Sequence, residues 1–285
     1  MKRINIPINE SKSTTKDSDS IISIYENITI ASLYDKYVKR IKLTREDLIV
    51  LYDIYHYFHN LSEDEEQIIM TIKVGRDSIT DLTIIFECER DQIITRTDLL
   101  EEYPRRYVVL LNNFGNYMGD YRFKGVFQNL RYIRGNFHLS GPIDYDNNFP
   151  NLEVIGGYSF IGRLDDACGF ESLKCFGKGV YWPSLKNASK LSDLEIIGGD
   201  ANFLNLANAI GLNKLKYIYG NADFTSLRSS EGLENLRKIT GQGYFTNVIN
   251  PNYFANLEYT EGIYLPKCPD WQEQVKIMKK TKTRW

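Results

Sequence analysis

The chain has 285 residues, of which 42% are hydrophobic and 25% charged, with a formal net charge of −2. This composition excludes wholesale disorder. It also disfavours nucleic-acid binding through the field of the whole molecule, which needs a basic excess. Charge is nevertheless uneven: residues 1–105 carry 14 Lys/Arg against 20 Asp/Glu, and the remainder has a basic surplus. The two parts therefore read as separate units or as mutually attracting ones.

No stretch approaches the roughly 20 apolar residues that span a bilayer, so no membrane partner is expected. The first 20 residues have no apolar run of the secretory kind and read as a flexible tail. The cysteines Cys88, Cys168, Cys175 and Cys268 lack CxxC spacing. They read as free thiols in a reducing compartment, which places the protein in the cytoplasm, or in a virion if its source is viral.

Residues 21–110 form the next unit, expected to be a small α+β capping domain. In "TREDLIVLYDIYHYFHN" Thr44 is placed to cap a helix, and Leu48, Leu51, Tyr52, Tyr55 and Phe58 share one face. Ser62 and Glu65 have capping-box spacing at the head of a second helix that stops at Gly75. "LTIIFEC" (82–88) and "YVVLL" (107–111) read as strands, the second joining the first rung of the C-terminal repeats and closing its edge.

From residue 111 to 268 the sequence repeats. Leu130, Leu152, Leu173, Leu194, Leu215, Leu236 and Leu257 succeed one another at 21-residue steps after a first step of 22. Phe or Leu stands three before each. Ile, with Phe176 and Thr260 as exceptions, stands three after. Gly stands five after in every unit but that of Lys178. The template is [F/L]-x-x-L-x-x-I-x-G-x-a-x-F, where a is usually small. Its steps of two are strand periodicity and its step of three is a turn. Such a unit cannot bury its own apolar face, so about seven rungs must stack around one core. Residues 269–285 read as a helical cap with a basic tail.

"GLNKLKYIYGNADF" and "GLENLRKITGQGYF" resemble leucine-rich repeats, most closely the receptor L-domain variety, over about residues 125–266. That resemblance implies a right-handed solenoid whose curved parallel sheet binds protein or, less often, glycan, and it implies no catalysis. The usual Asn column holds only Asn202, with His138, Phe160, Tyr181, Asp223, Tyr244 and Leu265 in the other units.

Chemistry-bearing clusters are few. His56 and His59 lie three apart with no HExxH and no Cys partner, which favours structural histidines over metal ligands. Cys168 and Cys175 read as isolated thiols. The acidic run 63–66 fits the first turn of a helix. No Ser-His-Asp or Cys-His set stands out, and no cofactor or metal is expected.

If the strand covers the Ile-x-Gly segment, the residues flanking the Ile face outward. The expected partner-binding stripe is then Tyr132, Arg134, Tyr217, Tyr219, Lys238, Thr240, Tyr259 and Glu261, with bare glycine in the middle that can admit a bulky partner group. The functional expectation is a non-enzymatic protein-interaction module. The alternatives are a structural subunit of a virion or filament and, least supported, an enzyme in residues 21–110.

Overall fold

The computed structural model describes residues 20–115, 126–140, 148–254 and 256–270. It is a mixed α+β fold, a helical N-terminal unit followed by a parallel β-solenoid of about seven turns. Of the expected tail (1–20) and the expected cap helix with basic tail (269–285), residues 1–19 and 271–285 lie outside the described residues.

Five helices open the chain: α1 (Ile21–Asn27), α2 (Ile30–Val38), α3 (Arg45–Tyr52), α4 (Glu63–Lys73) and α5 (Ser78–Phe86). The capping boxes Thr44/Asp47 and Ser62/Glu65 both form, satisfying N–H groups that a helix start leaves orphaned. Two expectations are corrected. Helix α3 ends at Tyr52 although the apolar spacing continues, because Asp53 turns left-handed (φ 47°) and accepts from Tyr57 N at 2.8 Å. The run Leu82–Cys88 is mostly helix. Asp77 caps Ile79 N at 3.0 Å, and Leu82, Ile85 and Phe86 then fall on one buried face. A short β-branched run fits either period, and here the cap decides.

Strand β1 (Ile93–Ile94), helix α6 (Thr97–Glu102), β2 (Val109–Leu110) and β3 (Phe114–Gly115) lead into the solenoid. Strand β2 pairs in parallel with β4 (Tyr132–Ile133), so the segment 107–111 does join the first rung. Each rung supplies two short strands. The first column continues through β6 (Val154–Ile155), β8 (Cys175–Phe176), β10 (Ile196–Ile197) and β12 (Tyr217–Ile218). The second runs from β3 through β5 (Phe137–Leu139), β7 (Ser159–Ile161), β9 (Val180–Tyr181), β11 (Ala201–Asn202) and β13 (Ala222–Asp223). The columns merge in β14 (Lys238–Tyr244) and β15 (Tyr259–Tyr264), which run through the corner unbroken. Single parallel bridges such as Asp166↔Asn187↔Asn208 mark a third side.

The template acquires physical meaning rung by rung. The [F/L]-x-x-L step is a turn closed by the Leu N–H on the Phe or Leu carbonyl, for example Leu152 N to Phe149 O at 3.1 Å and Leu215 N to Leu212 O at 2.9 Å. The Leu, Ile and Phe columns point inward and stack from rung to rung, as in Phe127–Phe149–Phe170 and Phe224–Phe245. Trp182, fully buried, is accommodated because its Nε1 donates to Ser159 Oγ at 2.9 Å. The glycine column stands where the chain corners against the rung below: a Cβ on Gly157 would lie 2.6 Å from Asn136 N.

An asparagine ladder exists, in columns other than the one holding Asn202. Where the residue before the anchor Leu is Asn, it donates to a carbonyl of the chain below, as in Asn151 Nδ2 to Gln128 O, Asn235 Nδ2 to Asn213 O and Asn256 Nδ2 to Glu234 O, each 2.6 Å. At the corner, Asn136 Oδ1 accepts from Tyr158 N and Asn221 Oδ1 from Gln242 N. Asn151→Ala is expected to lower stability by about 1 kcal/mol, read as a shift in denaturant midpoint at constant m-value.

Candidate functional site

The first column has an outward side, and the chain covers most of it with its own helices. Val109, Tyr132, Val154, Cys175 and Ile196 are buried in one apolar cluster with residues of α1 to α5. The cover extends to the column after each anchor Leu, which alternates in charge: Arg131, Glu153, Lys174, Glu195 and Lys216. Glu195, buried, accepts from Ser20 Oγ at 2.5 Å and Ile21 N at 3.0 Å while pairing with Lys216 at 3.3 Å. Glu153, also buried, accepts from Tyr55 OH at 3.3 Å and pairs with Arg131 and Lys174. Burial pushes the Glu153 carboxyl up, but Lys174 and Arg131 outweigh it and hold the group below its ordinary value.

The expectation that this side of the strands faces solvent is therefore corrected for rungs one to four. The column Val109–Val154–Cys175–Ile196 is apolar, and amphipathic helices with faces to bury lie beside it. Of the eight residues expected to bind a partner, Tyr132 is buried against Phe86, with ring centroids 5.2 Å apart. Arg134 is exposed at the rim. Tyr217 and Tyr219 are half-buried: Tyr217 packs edge-on against Tyr57 at 6.2 Å, and Tyr219 stacks on His59 at 3.4 Å. Lys238 lies over both Tyr219 and Tyr259, at 5.5 and 5.6 Å. Thr240 is half-buried, Tyr259 and Glu261 are exposed, and all belong to the rungs beyond the helical cover.

The bare glycines admit a bulky group, and that group is the chain's own His56. A Cβ on Gly177 would lie 2.4 Å from His56 Cδ2, and one on Gly156 would lie 3.1 Å from His56 Nε2. The loop after α3 delivers the imidazole with His56 itself left-handed, φ 50°. His56 and His59 line a cleft of about 470 Å³ with Phe58, Tyr158, Lys178 and Asp200 over the glycine backbone. Both Nε2 atoms are buried without a hydrogen-bond partner. Burial, reinforced for His56 by His59 and Lys178, pulls both pKa values down to about 4, so both rings are neutral near pH 7. Among the described residues no group of three His, Cys, Asp or Glu is placed to hold a metal ion.

The second column presents a side that no described helix covers. Its outward residues are successive register partners: His138, Phe160, Tyr181, Asn202, Asp223, Tyr244 and Tyr264. His138, Phe160 and Tyr181 stack in a run, with centroids 4.6 and 5.4 Å apart. Tyr181, Tyr244 and Tyr264 are 46%, 43% and 50% exposed. Six of these seven residues, all but Tyr264, occupy the column in which a leucine-rich repeat would carry its asparagines. The parity rule applied one strand further along would have singled them out. No protein-family model, curated protein or solved structure matches the chain, so fold and geometry carry the functional argument.

Proposed function

We propose that the protein is a non-enzymatic scaffold that binds a protein partner through the second face of its solenoid. What supports this reading is the ladder of exposed aromatic side chains on that face, held at fixed spacing by a continuous parallel sheet. Tyrosine suits such a surface, since it supplies large contact area with few rotatable bonds and a polar tip. The first face is largely occupied by the chain's own helices, and its open end at Lys238, Thr240, Tyr259 and Glu261 extends the contact area around the corner. The leucine-rich-repeat resemblance points the same way. A second reading, a subunit of a larger assembly, draws on β15, which pairs with β14 and with no other strand among the described residues.

The test is affinity capture from the native source with the full chain and with a Tyr181→Ala, Tyr244→Ala, Tyr264→Ala variant. The variant should keep its circular dichroism spectrum and bind the captured partner at least about tenfold more weakly, since each interface tyrosine contributes on the order of 1 kcal/mol or more. Unchanged affinity in this variant, with loss on Tyr259→Ala plus Lys238→Ala, would move the site to the first face. A monodisperse oligomer by light scattering would instead favour the assembly reading.

A further inference from the structure

The corner ladder of side-chain oxygens breaks once, and three irregularities of the repeat meet at the break. In the intact rungs the corner residue is Asn or Asp, and its Oδ1 accepts from the N–H of its successor one rung on. Asn113 accepts from Asn136, Asn136 from Tyr158, Asp200 from Asn221 and Asn221 from Gln242, at 2.6–2.9 Å. The glycine column is the other half of this arrangement. The Asp200 and Asn221 oxygens fill the space that a Cβ on Gly220 or Gly241 would need, 2.5 and 2.6 Å away. Tyr158 and Gly179 supply no such oxygen. The N–H groups of Gly179 and Asp200 consequently have no acceptor among the described residues. Lys178 departs from the glycine column for the same reason, since no Tyr158 oxygen claims the space of its Cβ.

The gap has room and is open. At Gly177, Gly198 and Gly199 a Cβ would fall within 2.7 Å of other atoms, so glycine is required there. A Cβ on Gly179 would lie 3.1 Å from Asp200 O and 3.4 Å from both Asp200 N and Tyr158 Cδ1. The missing side chain therefore leaves a space beside the Tyr158 ring that leads to the Asp200 N–H. This space belongs to the cleft of about 470 Å³ beside His56 and His59, where Tyr158, Lys178 and Asp200 are all exposed.

The groups around the gap select what fills it. An unpaired N–H requires an acceptor oxygen. A carboxylate in that place would stand one rung, about 4.8 Å, from the Asp200 carboxylate and be repelled by it. A cation offers no acceptor and meets Lys178, which lies over the Tyr158 ring at 5.3 Å and has no carboxylate partner among the described residues. A carboxamide is neutral. It presents its oxygen to the Asp200 N–H and the Lys178 ammonium, and its own N–H groups to the Asp200 carboxylate. It is also the group that the chain itself uses at Asn113, Asn136 and Asn221.

We infer that the break at Tyr158 and Gly179 is a carboxamide-binding site that receives an asparagine or glutamine side chain of the protein partner, completing the ladder from outside. This deepens the proposed function and rests on it, since Gly179 is two residues from Tyr181 on the second face.

The experiment follows the backbone amides of the full chain by NMR, with N-acetyl-asparagine methylamide as the probe and the aspartate and leucine compounds as comparisons. In the free protein the Asp200 amide should exchange with solvent at least about tenfold faster than those of Tyr158, Asn221 and Gln242, which have their acceptors. This comparison needs no variant. The asparagine compound should shift the Asp200 amide saturably. The aspartate compound should bind at least about threefold more weakly, and the leucine compound should leave the amide in place. Gly179→Asn supplies the oxygen from within. It should slow Asp200 exchange about tenfold and abolish the probe's effect, with an unfolding midpoint no lower than that of wild type. Gly179→Ala adds the Cβ without the oxygen and should not slow exchange. An Asp200 amide already as slow as that of Asn221 would overturn the inference. So would a shift that does not saturate, that the aspartate or leucine compound reproduces equally, or that persists at full strength in Gly179→Asn. The two readings fail separately. If the triple tyrosine variant loses its partner while Gly179→Asn retains it, the face binds but not through a carboxamide at the corner. If the partner survives the tyrosine changes while the probe still saturates, the site stands and the proposed function falls.

Discussion

Glu153→Ala is expected to destabilise the protein by about 3–5 kcal/mol and to loosen the helical unit from the solenoid. The carboxylate is buried and holds three groups at once: Arg131 Nε at 2.5 Å, Lys174 Nζ at 3.1 Å and Tyr55 OH at 3.3 Å. Removing one partner of a buried charge network leaves the others desolvated and uncompensated, which costs more than the network itself stabilises. Two measurements check this. Urea denaturation should show the loss. The Cys175 thiol, buried beneath the loop after α3 and donating to Tyr55 O at 3.0 Å, should become reactive toward a bulky thiol reagent. Its burial raises the thiol pKa, so in the intact protein it is inert. Cys268, buried in the last described rung, is the internal reference and should react no faster. A loss under about 1 kcal/mol with Cys175 unchanged would mean that the carboxylate does not anchor the cover.

Acidification should produce a comparable loss, visible in full only when Asp53 is neutralised. His56 and His59 sit at about 4 in the folded chain, against about 6.5 for a free side chain. Between those values the unfolded chain takes up protons that the folded chain refuses, so stability falls as pH drops from about 6.5 to 4. His56 alone accounts for about 3 kcal/mol. His59, whose ring is partly wet, contributes less. Asp53 acts in the opposite sense. Burial raises it from 3.8 to about 6, so the folded chain gains stability as pH falls through 6, by about 3 kcal/mol. The wild-type profile should therefore stay shallow between pH 7 and 5. Asp53→Asn keeps the acceptor for Tyr57 N and removes the compensation. It should be at least as stable as wild type at pH 7 and about 3 kcal/mol more acid-sensitive by pH 4. Parallel unfolding profiles for the two proteins would refute the assignment.

Both predictions concern the joint between helices and solenoid, which was the part least legible in the residue pattern. The rungs were legible because their determinants are local and recur: a Leu that closes a turn, an Ile that enters the core, a glycine where the chain corners against the rung below. The capping boxes at Thr44 and Ser62 were legible for the same reason, since each is satisfied within four residues. The Asn ladder was present in the sequence but hidden by expectation. It lies beside the anchor Leu and at the corner, where the acceptors of the previous rung happen to be.

By itself, then, the sequence determined the repeat, its register, and which side chains enter the core, because stacking identical units leaves one way to bury the apolar columns. Only the tertiary structure decided what lies on the outside. Outward parity does not reveal whether water or another part of the chain meets a side chain. The apolar run Val109–Val154–Cys175–Ile196 drew the N-terminal helices onto the first face, and the glycine trough received His56 from a loop more than 100 residues away. With the first face occupied, the exposed aromatic column falls to the second. Contacts so distant along the chain arise from complementary surfaces, which no spacing rule within either segment encodes.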